Sequence, residues 1–564
     1  MAQTFAATPW GQGGISGPIA VQMLRCKMKY SRSHALTPLA TSDTVSVANV
    51  CNRDLPPRRR PTRNAPMTAH PARAPGPTQA LPASQLAALA SIVGDAHVHS
   101  RWPDRYAYAR DRLPFATFVV RAGHLPGTLP SAVICPGTHD EVAEVVRWAR
   151  RAGVALVPFG AGSGVLGGAI PLGGEAILDL KRLNRMVRID TVNGLASVGA
   201  GMNGGQFESA LADHGYTCGH LPQSLHMSTV GGWAACRGAG QTSSRYGKIE
   251  DIVRGLKVVL PDGETLDVRP VARRATGPDL LQLFIGSEGV LGAITEVTLR
   301  VWKRPEREHG VVVALPGVAA GFAGLREIMQ DELRPAVTRL YDETETRART
   351  AGMPAFASRP VMLMLVFSGP ERLARVEEEL ALVILARHGG VVADEAPYRE
   401  WTEHRYLSYS PKWQSTGHYM DTIEVTGPWS ELPAMHQRSR EAALAVHPHI
   451  HFGTHWSHVY PDGACQYMTF RLPPLPDAEA LVLHARVWDA IESITLDCGG
   501  SISHHHGSGA FRNRWMRGEL GSGLDVLQAI KDALDPANLM NPGKLGLRAG
   551  VGARGLGGPG EAGR

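Results

Sequence analysis

The sequence predicts an α+β fold, on three observations. From about Pro130, short apolar strands alternate with amphipathic helices. A glycine-rich loop, PFGAGSGVLGG at residues 158–168, follows a strand directly without opening a long helix. After about Pro305 the pattern changes, mixing apolar strands such as VMLMLVFSG with long helices such as ERLARVEEELALVILARHGG.

The elements follow in order. Residues 1–80 are rich in Pro, Ser, Thr and Arg without apolar periodicity, and read as a disordered extension. Their basic, acid-poor character also suits a transit peptide, but no amphipathic helix supports that. Met67 is a candidate start. Residues 81–129 form an N-terminal helical segment, opened by ASQLAALASIVG. Residues 130–305 form a first α/β domain. Within it, SAVICP and VALVPFG read as strands, and THDEVAEVVRWARRAG as a helix. Thr138 is its N-cap, Glu141 completes a capping box, and Gly153 ends it. EAILDL, LASVGAG and GAITEVTLRVW are further strands, and IVRGLKVVLPDGETLDV is a hairpin turning at Asp262-Gly263. Residues 306–546 form a second domain, expected to be a strand–helix–strand duplication on an antiparallel sheet. Residues 547–564 read as a disordered Gly-rich tail.

Composition narrows the class. Apolar residues make up 43% and charged residues 20%, as in soluble globular proteins. No run reaches the roughly 18 apolar residues of a membrane span. The net charge of +6 comes from residues 1–75, where ten Arg and Lys face only Asp43 and Asp54. The remainder is near neutral, without the basic footprint of a nucleic-acid binder. The seven cysteines are scattered and form no C-x-x-C, so neither disulfides nor structural zinc are expected. A reducing, cytoplasmic setting fits.

The glycine loop is an anion nest. Glycines 160, 162 and 164 let successive N–H groups face one side, and Ser163 adds a hydroxyl. The loop lacks the helix of a dinucleotide fingerprint and the Lys of a P-loop. Alone it reads more readily as a glycine-rich surface turn. Two further Gly-rich stretches, QSLHMSTVGGWAACRGAG (223–240) and GPDLLQLFIGSEGVLGAITEVTLRV (277–301), accompany it.

In order and spacing these three segments resemble the PCMH-type FAD-binding domain of the vanillyl-alcohol oxidase superfamily of FAD-linked oxidases. The resemblance implies FAD as cofactor. Pro158, Phe159, Gly160, Ala161, Gly162, Ser163 and Gly164 would hold the pyrophosphate. Gln223, Ser224, Leu225, His226, Met227, Ser228 and Thr229, with Cys236, Arg237, Gly238 and Ala239, would line the cofactor. Glu288, Gly289, Val290, Leu291, Gly292, Ala293 and Ile294 would pack against it. The first loop lacks the His that tethers covalent flavins in the family, which implies non-covalent FAD.

STVGGW, YGKIEDIV, TRLYDETE, YPDGACQY and GGSISHHHGSG resemble the alkyldihydroxyacetonephosphate (alkylglycerone-phosphate) synthase branch, over most of residues 83–546. The related D-2-hydroxyacid dehydrogenases carry E-H-G where this chain has His505-His506-Gly507. The synthase resemblance implies exchange of an acyl for an alkyl group on glycerone phosphate through flavin N5, in ether-lipid synthesis. A D-2-hydroxyacid dehydrogenase is the alternative. By the synthase resemblance Tyr467 is the acid/base, with His504, His505 and His506 beside it and Arg339 near flavin or substrate. Tyr467 would need a lowered pKa to act as a base, which neighbouring cationic His or Arg could supply. SPKWQST offers Lys412 for substrate where the synthases have an Arg nearby. Gln223 stands where an Asp is usual, and NPGKLG is nearer the dehydrogenases. Small-molecule or lipid substrate, transient membrane-surface contact and a homodimer are the implied partners.

The three histidines are not expected to gather one metal. In an extended segment His504 and His506 share a side while His505 faces away. His455 and His458 read as structural. The flanking glycines would allow close approach to the flavin.

Overall fold

The computed structural model describes residues 79–121, 123–407, 416–550 and 556. Lys412 lies outside the described residues.

Among the described residues the first domain holds two main sheets with helices around them, and a small two-stranded pair of Tyr216–Thr217 with Trp302–Lys303. Strands Val98–His99, Val133–Ile134, Ala176–Asp179 and Leu156–Phe159 form one sheet, parallel between the last three. The helix His139–Ala152 buries Val142, Val145, Val146 and Trp148 against it. Its N-cap is Thr138, which accepts from the Glu141 N–H. Glu141 reaches back one residue further than the capping box requires, to the Gly137 N–H. Gly153 ends the helix at φ 66°, the left-handed conformation glycine tolerates best. The second sheet is antiparallel, in the order Met186–Asp190, Leu195–Gly199, Ala293–Arg300, Val253–Val259, Thr265–Val268. Its last pair is the hairpin read from the sequence, with Gly263 at φ 85°.

The second domain carries a seven-stranded antiparallel sheet. Its strands are β1 (Arg307–Leu315), β2 (Val337–Tyr341), β3 (Val361–Gly369), β4 (Val391–Val392), β5 (Tyr419–Pro428), β6 (His451–Val459) and β7 (Gly463–Leu472). Their spatial order is β4-β1-β3-β2-β6-β7-β5. The expected duplication is there. Each half runs strand, helix, strand, strand, helix, with the short helix Glu343–Arg349 inserted between the second and third strands of the first. The longer helices are Val318–Gln330 and Glu371–Arg387 in the first half, Leu432–Val446 and Asp477–Asp497 in the second. The halves meet where β2 pairs with β6. The position that β4 holds in the first half is taken in the second by Ser501, bridged to Thr426 of β5. The histidine segment begins there.

Side-chain alternation sorts this sheet. Leu340, Ile423, Val425, Trp456 and Met468 are buried in the main core. Arg339, Tyr341, His455, Tyr467 and Glu424 share the other face, because Tyr341 pairs with His455, His455 with Tyr467, and Tyr467 with Glu424. Of the tail read as disordered, residues 547–550 and 556 are among the described residues: Leu547 is buried and Leu556 packs on the main core, since leucine side chains gain by leaving water.

Candidate active site

The glycine loop leaves the strand Leu156–Phe159 and is tightly fitted. A methyl group on Gly160 would lie 2.4 Å from Thr229 Oγ1, and one on Gly162 2.5 Å from the Phe159 ring. Gly162 has φ 61°. Thr229 caps the helix Val230–Ala235 by accepting from the Gly232 N–H. So the first and second predicted segments touch. Among the described residues, no hydrogen bond within the protein uses the N–H groups of Ala161, Gly162, Ser163 or Gly164. They form a row of neutral donors with no cationic side chain in the loop.

The third segment joins through Glu288. Its buried carboxylate accepts from the N–H groups of Ser508 and Gly509. A methyl group on Gly168 or Gly507 would meet it at 2.7 and 2.5 Å. The exit of the glycine loop, Glu288 and the end of the histidine segment are thus gathered on one carboxylate. Some predicted lining residues are committed elsewhere. Leu225, Val290, Leu291, Ala293 and Ile294 are buried in the hydrophobic core. Arg237 binds Gln282 and Glu250, Cys236 donates to the Trp233 carbonyl, and Gln223 donates to the Leu407 carbonyl. Their side chains brace the cradle, because apolar groups seek the core and polar groups the nearest partner. His226 and Met227 sit on the short 3-10 turn Leu225–Met227, where Arg112 reaches the Met227 sulfur.

The histidine segment corrects the extended reading. The N–H groups of His504, His505 and His506 all point to the Glu424 carboxylate. The chain curls around that carboxylate, and strand alternation does not apply. His504 and His505 have their Nδ1 atoms 2.9 Å apart, and the rings of His505 and His506 lie 4.4 Å apart. Tyr467 faces this wall. Its ring centroid is 6.1 Å from His505, 5.7 Å from His506 and 4.8 Å from His455. Its hydroxyl donates to Thr422. Arg339 donates to Tyr341 at 2.6 Å and to His455 Nε2 at 3.1 Å.

Sequence reasoning set His455 and His458 aside as structural, yet both belong to this cluster. It missed Glu424, Ser243 and Tyr460 altogether. The signal for Glu424 was an acid, with Asp421 three residues before it, in the otherwise apolar strand DTIEVTGPW; a buried acid must find a partner.

Hydrogen bonds fix the ring tautomers. Tyr460 donates to Ser243 Oγ, so the Tyr460 oxygen accepts from His504 Nε2–H. His504 Nδ1 then accepts from His505 Nδ1–H, and Ser243 donates to His458 Nδ1. The chain runs one way from His505 to His458, and leaves His505 Nε2 with a free lone pair. The ring nitrogens of His458, His504 and His505 are close enough together to hold a metal ion, as are Glu424, Cys465 and His505. Both nitrogens of His504 and one each of His458 and His505 are already in hydrogen bonds.

Burial dominates the electrostatics. It holds His455, His504 and His505 well below the usual histidine range, His506 below it, and His458 at about 3. The cluster is neutral. Burial likewise pushes Tyr467 up to about 12, with Thr422 opposing. The expected lowered pKa is therefore corrected: neutral rings cannot stabilise a phenolate, and Tyr467 rests as the acid. Burial also works against the charge of Glu424, but the Arg512 guanidinium and the hydrogen bond from the His504 N–H more than offset it and hold Glu424 at about 2.

Comparison with known proteins decides the family. A model described as "FAD binding domain" matches residues 130–269, and one described as "FAD linked oxidases, C-terminal domain" matches residues 304–545. The uncharacterized FAD-linked oxidoreductase YgcU of Escherichia coli K12 is 32% identical over 74% of this chain and 89% of its own. The chain belongs to the FAD-linked oxidase family. Alkyldihydroxyacetonephosphate synthase of Trypanosoma brucei brucei is 30% identical over 74% of this chain and 73% of its own. Mitochondrial D-lactate dehydrogenase [cytochrome] of Arabidopsis thaliana is 26% identical over 83% of this chain and 81% of its own. A solved alkyldihydroxyacetonephosphate synthase shares the fold at TM-score 0.69 and 23% identity, covering 83% of this chain and 87% of that one.

FAD is the cofactor of this family. The residues present fit it: a diphosphate needs a row of donors, and residues 161–164 offer unused N–H groups on a loop with no room for a side chain at Gly160 or Gly162.

Proposed function

We propose that this FAD-linked oxidase acts as an alkyldihydroxyacetonephosphate synthase, exchanging the acyl group of an acyl dihydroxyacetone phosphate for the alkyl group of a fatty alcohol. FAD would be held non-covalently, its diphosphate by the N–H groups of residues 161–164, with the segments 223–229 and 288–294 packed behind that loop, and would supply the electron-rich centre that the exchange needs. The chain's residues handle protons. Tyr467 keeps its proton and offers it to the departing carboxylate oxygen. His505 Nε2 accepts the proton released at carbon, because its Nδ1–H is already given to His504. Arg339, fixed by Tyr341 and His455, supplies the positive charge for substrate. Overall, fatty acid leaves and ether forms with no net oxidation.

The observation that carries this reading is the neutral wall itself: an acid-form tyrosine faces imidazoles, and His505 stands where the sequence resemblance implies a glutamate in D-2-hydroxyacid dehydrogenases. FAD-loaded protein incubated with acyl dihydroxyacetone phosphate and labelled fatty alcohol tests it. Label in an ether product, with free fatty acid released, is expected. No label, together with bleaching of the flavin by D-lactate or D-2-hydroxyglutarate, would sink the synthase reading.

A further inference from the structure

Glu424 stands at the centre of the second domain's polar face and nothing above gives it a task. It is fully buried on β5. Its Oε2 accepts from the N–H groups of His504 and His505, and its Oε1 from His506 N–H, Ser503 Oγ and Arg512 Nη1. Three successive amides of a loop converging on one carboxylate make a nest, built here by the protein for its own side chain. Arg512 also donates to the Gly507 carbonyl and, at Nε, to Glu492 at 2.9 Å. Residues 503–507 are therefore clamped at both ends. The His505 and His506 Nδ1 atoms lie 3.8 and 3.6 Å from the same carboxylate. Among the described residues, the buried His506 Nδ1 has no hydrogen-bond partner.

We infer that Glu424 is a positioning residue: it curls the histidine segment so that His505 and His506 face Tyr467, and its negative charge favours proton uptake by their imidazoles. The inference rests on the proton-handling role given to those histidines above. A merely structural anchor would serve equally well as a neutral hydrogen-bonding group, whereas this role needs an acceptor-only, charged group. An amide in its place would turn an N–H donor toward the loop amides and lose one acceptor.

Glu492 provides the control. It touches Arg512 but none of the histidine amides, and burial lifts it to about 7 despite Arg512. Other charged or titratable groups acting on His506 are Asp421 from β5, Arg512 and His505, with Tyr467 of β7 packed edge-on. None of them changes in either variant.

Two measurements on FAD-loaded protein test the inference without any substrate, so they stand apart from the synthase assay. Hydrogen exchange should show the amides of 504–506 protected like the sheet in the wild type. Protection should fall at least tenfold in Glu424→Gln and persist in Glu492→Gln. Histidine carbon NMR should show the His506 titration about one pH unit lower in Glu424→Gln, a tenfold shift in its proton equilibrium. Loop-like exchange of these amides in the wild type would overturn the inference, even if Glu424→Gln fails to fold. So would a folded Glu424→Gln with unchanged protection and titration, or an equal effect of Glu492→Gln.

Discussion

Tyr467 and His455 lie face to face across neighbouring strands, ring centroids 4.8 Å apart and planes 27° from parallel. They are register partners of β7 and β6, so the sheet itself sets the stack. Arg339 can only donate, so His455 Nε2 accepts and its proton sits on Nδ1. His455→Phe would keep the stack and strip Arg339 of that acceptor. Turnover is expected to fall about ten- to a hundredfold, the size of one hydrogen bond to a charged group. FAD content, read from the visible spectrum, should stay the same. Loss of the flavin in this variant would show that His455 supports the cofactor instead.

Gly160 should be irreplaceable for a local reason. Its missing Cβ leaves room for Thr229 Oγ1, which is also needed to cap a helix. Gly160→Ala must push the two cofactor segments apart. An apo protein with stability reduced by about 1–3 kcal/mol is expected. FAD released on boiling and quantified by fluorescence checks it, and full occupancy would refute it.

The buried neutral histidines predict acid sensitivity. A group with a depressed folded pKa such as His458, at about 3, binds its proton more readily when the chain is unfolded. Stability is then retained above the unfolded value near 6.5 and lost as pH falls from there toward 3. By pH 4 His458 alone would cost up to about 3 kcal/mol. Thermal melts of wild type and His458→Gln between pH 8 and 4 should converge as pH falls, because the variant lacks this loss. Parallel curves would contradict it.

Asp111 gives the opposite slope. Burial lifts it to about 7, with the Leu113 N–H that its Oδ1 accepts opposing. A carboxyl with a raised folded pKa holds its proton more tightly when folded, so stability declines as pH rises from about 4 to 7. Asp111→Asn removes that decline while keeping an acceptor for the Leu113 N–H. The variant should gain relative to wild type between pH 5 and 8 in denaturant titrations. A pH-independent difference would rule the account out.

What the sequence made legible was local or repeated. Thr138 and Gly153 bound a helix through neighbours a few residues away, and the duplicated strand–helix–strand pattern recurred strongly enough to be read twice. The three cofactor segments stood out because glycines and hydroxyls cluster in each. The histidine segment was misread because its shape is set by Glu424, about eighty residues upstream, which no periodicity reports. The Tyr467 pKa was misjudged for a related reason. Whether neighbouring imidazoles are charged depends on burial by the whole domain, and burial left them neutral. Leu225, Val290 and Leu291 lay inside the segments read as cofactor-lining but turn into the core, a distinction that segment-level reading does not make.

The central claim is that Tyr467 serves as the proton donor of a flavin site built at the seam of the two sheet halves. Tyr467→Phe keeps the ring and its stack on His455 and removes only the hydroxyl. The direct measurement is the acyl-for-alkyl exchange rate of this variant at wild-type FAD content. The account predicts a loss of about 10²- to 10⁴-fold with the flavin spectrum intact. Exchange at the wild-type rate would contradict it.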